Sequence, residues 1–252
     1  MKIQDKNNLV SDLLKISKKE FEQQRGSVSY NGTPNKKANQ LIGDLKKHPH
    51  AFVLACIMDR QINGDRAFGI PYKFSQILGS FEFKRLLKLT PHQIEKIFTD
   101  NNLHRFNKIM AKNFYSGIQR IHNQYNDNAV NIWNEKPGSA TVVKRFLEFD
   151  GAGIKIATMA ANILARELKV SFKDYYSVDI SADVHVKRVF RRIGLINEDA
   201  SIEELIYTAR ELNPKYPGIL DLSAWKIGRY WCRPKNPICQ KCALNKSCPK
   251  II

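Results

Sequence analysis

The chain has 252 residues, 43% of them hydrophobic, enough for one large or two moderate domains with real cores, and too many for an intrinsically disordered protein. Its 41 Lys and Arg against 24 Asp and Glu give a formal charge of +17, which points to a polyanionic partner. No apolar run approaches the ~18 residues of a membrane span and no lipidation signal is visible, so nucleic acid is expected and a membrane is not.

The N-terminus, Met1-Lys2-Ile3-Gln4-Asp5, lacks a secretory apolar stretch. A reducing, cytoplasmic and nucleoid-associated location is therefore expected, which argues against structural disulfides among the five cysteines. Residues 8–24 carry Leu9, Val10, Leu13, Leu14 and Phe21 at near-helical spacing among charges, an amphipathic helix. A polar, glycine-containing loop follows from Arg25 to Lys37, then a short helix over 38–47. Residues 50–62 open with an apolar run, Ala51 to Met58, and turn abruptly polar at Asp59-Arg60-Gln61. A buried helix ending in three polar groups points them at something. Short helices are predicted over 71–78 and 81–87, and another is opened by Thr90-Pro91-His92-Gln93, a capping box with Pro at N1. Residues 100–106 read as a loop and 108–125 as a helix. After the connection 126–141, helices over 141–149 and 154–168 flank a glycine turn. An irregular crossing covers 170–181, and further helices cover 182–193, 201–212 and 219–230. No stretch alternates with period two, so the fold class is all-α.

Two constellations carry chemistry. In Phe149-Asp150-Gly151-Ala152-Gly153-Ile154-Lys155-Ile156-Ala157, two glycines allow a tight turn and close approach of a partner to bare N–H groups. Backbone amides at a helix N-terminus bind phosphate without regard to base sequence, and Lys155 stands beside them. The pattern matches a helix-hairpin-helix element, although by itself it is equally a tight turn using glycines for packing. At the C-terminus Cys232, Cys239, Cys242 and Cys248 follow a C-x6-C-x2-C-x5-C spacing. Four thiols within seventeen residues form a metal site, and a single Cys-x-x-Cys knuckle favours a [4Fe–4S] cluster over zinc. Cys56, alone in an apolar helix, reads as a core residue.

Gly228-Arg229-Tyr230-Trp231-Cys232 with that cysteine spacing, the Lys155 hairpin and Ala182-Asp183-Val184-His185-Val186-Lys187-Arg188-Val189 together resemble the endonuclease III branch of the helix-hairpin-helix DNA glycosylases. The resemblance extends over roughly residues 40–250. It implies a two-lobed fold: a six-helix barrel lobe over 42–167 with the hairpin, and a lobe of 1–41 plus 168–252 holding the cluster loop 232–248. It also implies a monomeric base-excision glycosylase with AP lyase activity, acting on double-stranded DNA that contains a damaged, modified or abasic site. Lys155 would be the nucleophile and Asp183 the essential aspartate. Gly151, Gly153, Gln61, Leu103, Arg188, Arg233 and Lys235 would contact DNA, with Leu103 as the apolar wedge behind a flipped nucleotide. Asp179 competes with Asp183 for the acid. Two rival readings stand beside this one: a monofunctional mispair or alkylated-base glycosylase, and a non-catalytic iron–sulfur DNA-binding protein.

The chain also departs from the family pattern. Phe149-Asp150 replaces the usual Leu-Pro before the hairpin, and 27 residues separate Lys155 from Asp183, suggesting an insertion around 170–181. The Asp59-Arg60 pair is unusual as well, and is read either as a substrate-pocket pair defining base specificity or as a surface pair with no such role.

Overall fold

In a computed structural model of the chain the described residues, 3–26 and 30–251, hold twelve α-helices and three short 3-10 turns, with no strand among them. Residues 27–29 of the expected polar loop lie outside the described residues. No described helix is long and apolar enough to cross a membrane. The chain divides into two compact units, one of residues 27–137 and 141–172, the other of 1–26, 138–140 and 173–252.

The first unit contains α2 (Lys36–Gly43), α3 (Pro49–Met58), α4 (Gly64–Leu78), α5 (Phe83–Leu86), α6 (Pro91–Asp100), α7 (Asn107–Tyr125), nearly all of α8 (Ser139–Leu147) and α9 (Ile154–Arg166). α3 is its axis, with all ten residues buried. It has no polar face, so it is stable only when enclosed, and α2, α4, α7 and α9 pack around it. Gly117 of α7 makes the approach close, since a Cβ there would come within 3.1 Å of Leu54 and Ile57. Phe52, Phe74, Phe98, Phe114 and Phe146 are fully buried in this unit, and Phe74 packs on Phe114 with ring centroids 4.8 Å apart. Cys56 is core, as expected, and burial pushes its thiol pKa up.

Two element boundaries differ from the sequence reading, each for a local reason. α3 stops at Met58, where Asp59 caps it, so Gln61 lies beyond the helix with φ 54° rather than ending it. α4 begins seven residues before Pro71, because Asn63 accepts from the Asp65 N–H at 2.8 Å and starts the helix there. Pro71 then sits in the helix interior at a cost of about 3 kcal/mol, offset by burying Ala67, Phe68, Ile70 and Phe74 with it. The expected Thr90 capping box forms, with Thr90 and Gln93 bonding each other's backbone.

The second unit contains α1 (Ile3–Gly26), α10 (Val184–Arg192), α11 (Ile202–Leu212) and α12 (Asp221–Tyr230). Leu9 and Leu13 of α1 join Val186, Val189, Phe190, Leu205, Leu220 and Ala224 in one core, and Cys232, Cys242 and Cys248 pack against its edge. The crossing 173–181 is tied down by polar bonds. Ser139 Oγ donates to Asp174 at 2.5 Å and accepts from the Ser177 N–H at 3.0 Å.

α10 and α12 meet at Gly228, where a Cβ would lie 2.7 Å from the His185 carbonyl oxygen and 2.8 Å from its Cβ. Backbone atoms have no rotamer by which to yield, so Gly228→Ala must push the helices apart. Its expected cost is about 2 kcal/mol after any gain in helix propensity, read as a lower midpoint in urea unfolding with unchanged slope.

Candidate active site

The hairpin between α8 and α9 is built as its sequence suggests. Phe149 is buried and stacks parallel to Tyr125, with centroids 6.2 Å apart, fixing where the chain enters. The Ala152 N–H donates to the Phe149 carbonyl at 3.0 Å and closes the turn. Gly151 takes φ 84°, and a Cβ there would fall 2.3 Å from Asn113 Nδ2, so both conformation and space demand glycine. Gly153 is extended and N-caps α9, and a Cβ there would meet nothing within 4 Å. Its bareness leaves the outer side of the turn open, next to first-turn N–H groups that an α-helix leaves without internal partners. Asp150, in the position where proline is usual, is exposed and accepts from Ser116 Oγ of α7 at 2.5 Å.

Lys155 lies in the first turn of α9. Its Nζ stands 2.7 Å from Asp59 Oδ2, and the two side chains are 33% and 10% exposed. The pair ties the end of the buried α3 to the start of α9, across 96 positions of sequence. The abrupt polarity after Met58 was the signal for a functional carboxylate here, but no pattern in the sequence names Lys155 as its partner. Arg60 and Gln61, next in the chain, are both exposed.

Leu103 is placed otherwise than a wedge requires. It is 1% exposed, held in the core of the first unit, while its carbonyl accepts from Arg66 Nε at 3.1 Å. Filling the gap behind an extruded nucleotide needs an exposed side chain, and in this loop Asn101, Asn102 and Arg105 are the exposed ones.

Asp183 belongs to the second unit, where it N-caps α10 and accepts from the His185 N–H at 2.8 Å. It is partly exposed. Its rival Asp179 is 4% exposed and clasped bidentately by Arg210 at 2.7 and 2.8 Å, a structural pair with no spare carboxylate edge. Arg188, read from sequence as phosphate-facing, spends its donors within the protein: Nε on the Cys232 carbonyl, Nη2 on the Gly228 carbonyl and on His185 Nδ1. That last bond fixes the unprotonated nitrogen of the His185 ring, whose pKa is lowered chiefly by burial. Arg233 and Lys235 are exposed on the cysteine loop.

The four C-terminal cysteines are free thiols. Cys232, Cys239, Cys242 and Cys248 line one cavity together with Ile193 and Leu244. Arg192, 6% exposed, reaches into this loop, donating to the Arg233 and Pro234 carbonyls at 2.6 and 2.9 Å, with Nη1 3.7 Å from Cys232 Sγ. The Lys250 N–H lies 3.3 Å from Cys248 Sγ. Burial raises the thiol pKa of Cys242 and Cys248. Among the described residues no group of three or more His, Cys, Asp or Glu stands close enough to hold a metal ion. Four thiols lining one cavity are the donor set of a thiolate-held metal group.

No known family model matches the chain. Endonuclease III of Thermotoga maritima is 31% identical over 107 residues, a stretch covering 42% of this chain and 45% of that protein, so the match spans less than half of either. Among solved structures, a trapped covalent endonuclease III–DNA intermediate superposes with a TM-score of 0.57 at 17% identity, over 85% of this chain and 95% of that one. A thermostable thymine-DNA glycosylase superposes with a TM-score of 0.61 at 17% identity, over 98% and 96%. This chain shares the fold of those two proteins.

Proposed function

We propose that this protein is a DNA base-excision glycosylase with AP lyase activity, acting as a monomer on nucleoid DNA that carries a damaged, modified or abasic site. The observation that carries the reading is Lys155, a lysine in the first turn behind an open glycine hairpin, with its amine on a carboxylate at 2.7 Å. The fold shared with an endonuclease III trapped covalently on DNA and with a thymine-DNA glycosylase supports it, as does the net charge of +17.

In this reading the hairpin amides at Gly151 and Gly153 grip a phosphate independently of base sequence. Extruding one nucleotide costs a few kcal/mol, least for a damaged or mispaired base. The neutral Lys155 amine attacks the sugar C1′ as the base departs, giving a Schiff base from which β-elimination cuts the strand. Asp183 accepts a proton and stabilises positive charge developing on the deoxyribose. Arg233 and Lys235 meet the DNA backbone, where each adds salt-sensitive affinity and no sequence preference. Gln61, Arg60 and Asp59 line the pocket of the extruded base. Cys232, Cys239, Cys242 and Cys248 hold a [4Fe–4S] cluster that braces the loop bearing Arg233 and Lys235.

A second reading, a monofunctional glycosylase, is favoured by one feature of the same site: the Lys155 amine is held by the Asp59 carboxylate at 2.7 Å instead of being directed at a substrate carbon. Duplexes bearing oxidised, deaminated, alkylated or naturally modified bases, incubated with the full chain and borohydride, decide between the two. Base release with a trapped covalent adduct is expected. Base release without an adduct selects the monofunctional enzyme, and no release from any duplex selects a DNA-binding protein.

A further inference from the structure

Asp59 is 8% exposed at the end of a helix with no other polar residue in its last two turns apart from the Cys56 thiol. Burying a carboxylate so deeply is costly unless it is paired. Its partner is the Lys155 amine at 2.7 Å, a separation across which a proton can move directly.

Several other titratable groups stand near the pair. Cys56 on α3 and Tyr30 ahead of α2 both have pKa values pushed up by burial, so they are neutral. His104, from the loop before α7, has a lowered pKa and bonds the Met58 carbonyl through Nε2. Arg166 and Glu167, at the far end of α9, pair with each other at 3.0 Å. Arg66 is committed to the Asn102 and Leu103 carbonyls, and Arg60 is turned to solvent.

We propose that Asp59 accepts the proton Lys155 must lose before it attacks C1′, an inference that rests on the lyase function proposed above. When a sugar covers the one-third of Lys155 that is exposed, desolvation disfavours both charges and moves the pair toward its neutral form. One N–H bond of the ammonium breaks and an O–H bond forms on Asp59 Oδ2. The freed nitrogen pair makes the bond to C1′ while the glycosidic bond breaks, its electrons leaving on the base, which takes a proton from water. At an abasic site the same neutral amine condenses with the C1′ aldehyde and expels water.

The test is borohydride trapping of the full-length protein on a duplex with one abasic site, followed across pH in single turnover. Asp59→Asn keeps the size and an oxygen that can accept from Lys155 but takes up no proton. It is expected to trap about 100-fold more slowly at pH 7 and to recover as rising pH lets solvent deprotonate Lys155. Removing a counter-ion alone would lower the lysine pKa, so an Asp59→Asn variant that traps as fast as wild type or faster at pH 7 overturns the proposal. Should that variant not fold, the wild-type profile serves: a rate level from pH 8 to 6 supports the internal acceptor, whereas a rise of about tenfold per pH unit through that range overturns it. Absence of any wild-type adduct defeats the lyase reading itself, and an undiminished adduct in Lys155→Ala defeats the Lys155 assignment, so these failures are told apart from that of Asp59 as acceptor.

Discussion

Lys155→Ala is expected to abolish the borohydride-trapped adduct on abasic duplex while leaving the affinity for that duplex nearly unchanged. Covalent catalysis has no substitute once its nucleophile is gone, so Schiff-base formation and strand cleavage should fall by roughly four to six orders of magnitude. Binding should persist because the proposed phosphate contacts are backbone amides at Gly151 and Gly153, which the substitution does not touch. The variant has a second consequence, since Asp59, 8% exposed, would lose a hydrogen-bonded cation. An unpaired buried carboxylate is destabilising, and Lys155→Gln, which returns an N–H donor to Asp59, should restore the melting temperature without restoring the adduct. An adduct in Lys155→Gln would place the nucleophile elsewhere.

That pairing also marks the limit of what the sequence discloses. The hairpin is legible because its requirements are local: a positive φ at Gly151 and an open Cβ position at Gly153 leave glycine signatures in neighbouring residues. The helical class is legible because the period of apolar residues is local as well. The Asp59–Lys155 contact spans 96 positions and arises only when α9 packs on α3, so no window along the chain contains it. The length of α4 was obscured by Pro71, a strong breaker overruled by the burial of its neighbours. The fate of Arg188 was hidden for another reason. On a helix reading Lys187-Arg188-Val189-Phe190-Arg191-Arg192, composition suggests a solvated basic face, yet Arg188 and Arg192 turn inward to carbonyl oxygens of α12 and the cysteine loop. Charge patterning counts cations, and only packing says which of them already have acceptors.

The inward arginines bear on the other large effect, loss of one cysteine. Cys239→Ser is expected to bleach a brown protein, to lower its iron content from about four atoms per chain and to unfold the loop that Arg192 props. Between Cys232 and Cys248 the chain makes a single 3-10 turn, Cys239–Lys241, and few backbone bonds of its own, among them Ile238 N–H to Trp231 and Cys248 N–H to Leu244. So small a segment has little core beyond Leu244, and the free energy of holding a metal group is then largely the free energy of folding it. The substitution should therefore cost several kcal/mol in the second unit, far more than an isosteric change at an exposed thiol. Zinc in place of iron in the wild-type protein would overturn the assignment. The two variants should also fail differently. Lys155→Ala loses the adduct while keeping the duplex, whereas Cys239→Ser displaces Arg233 and Lys235 and should lose duplex binding, and the adduct with it. Weakened binding in Cys239→Ser that is recovered at low ionic strength would identify the lost contacts as phosphate contacts, because cation–phosphate affinity falls steeply with salt.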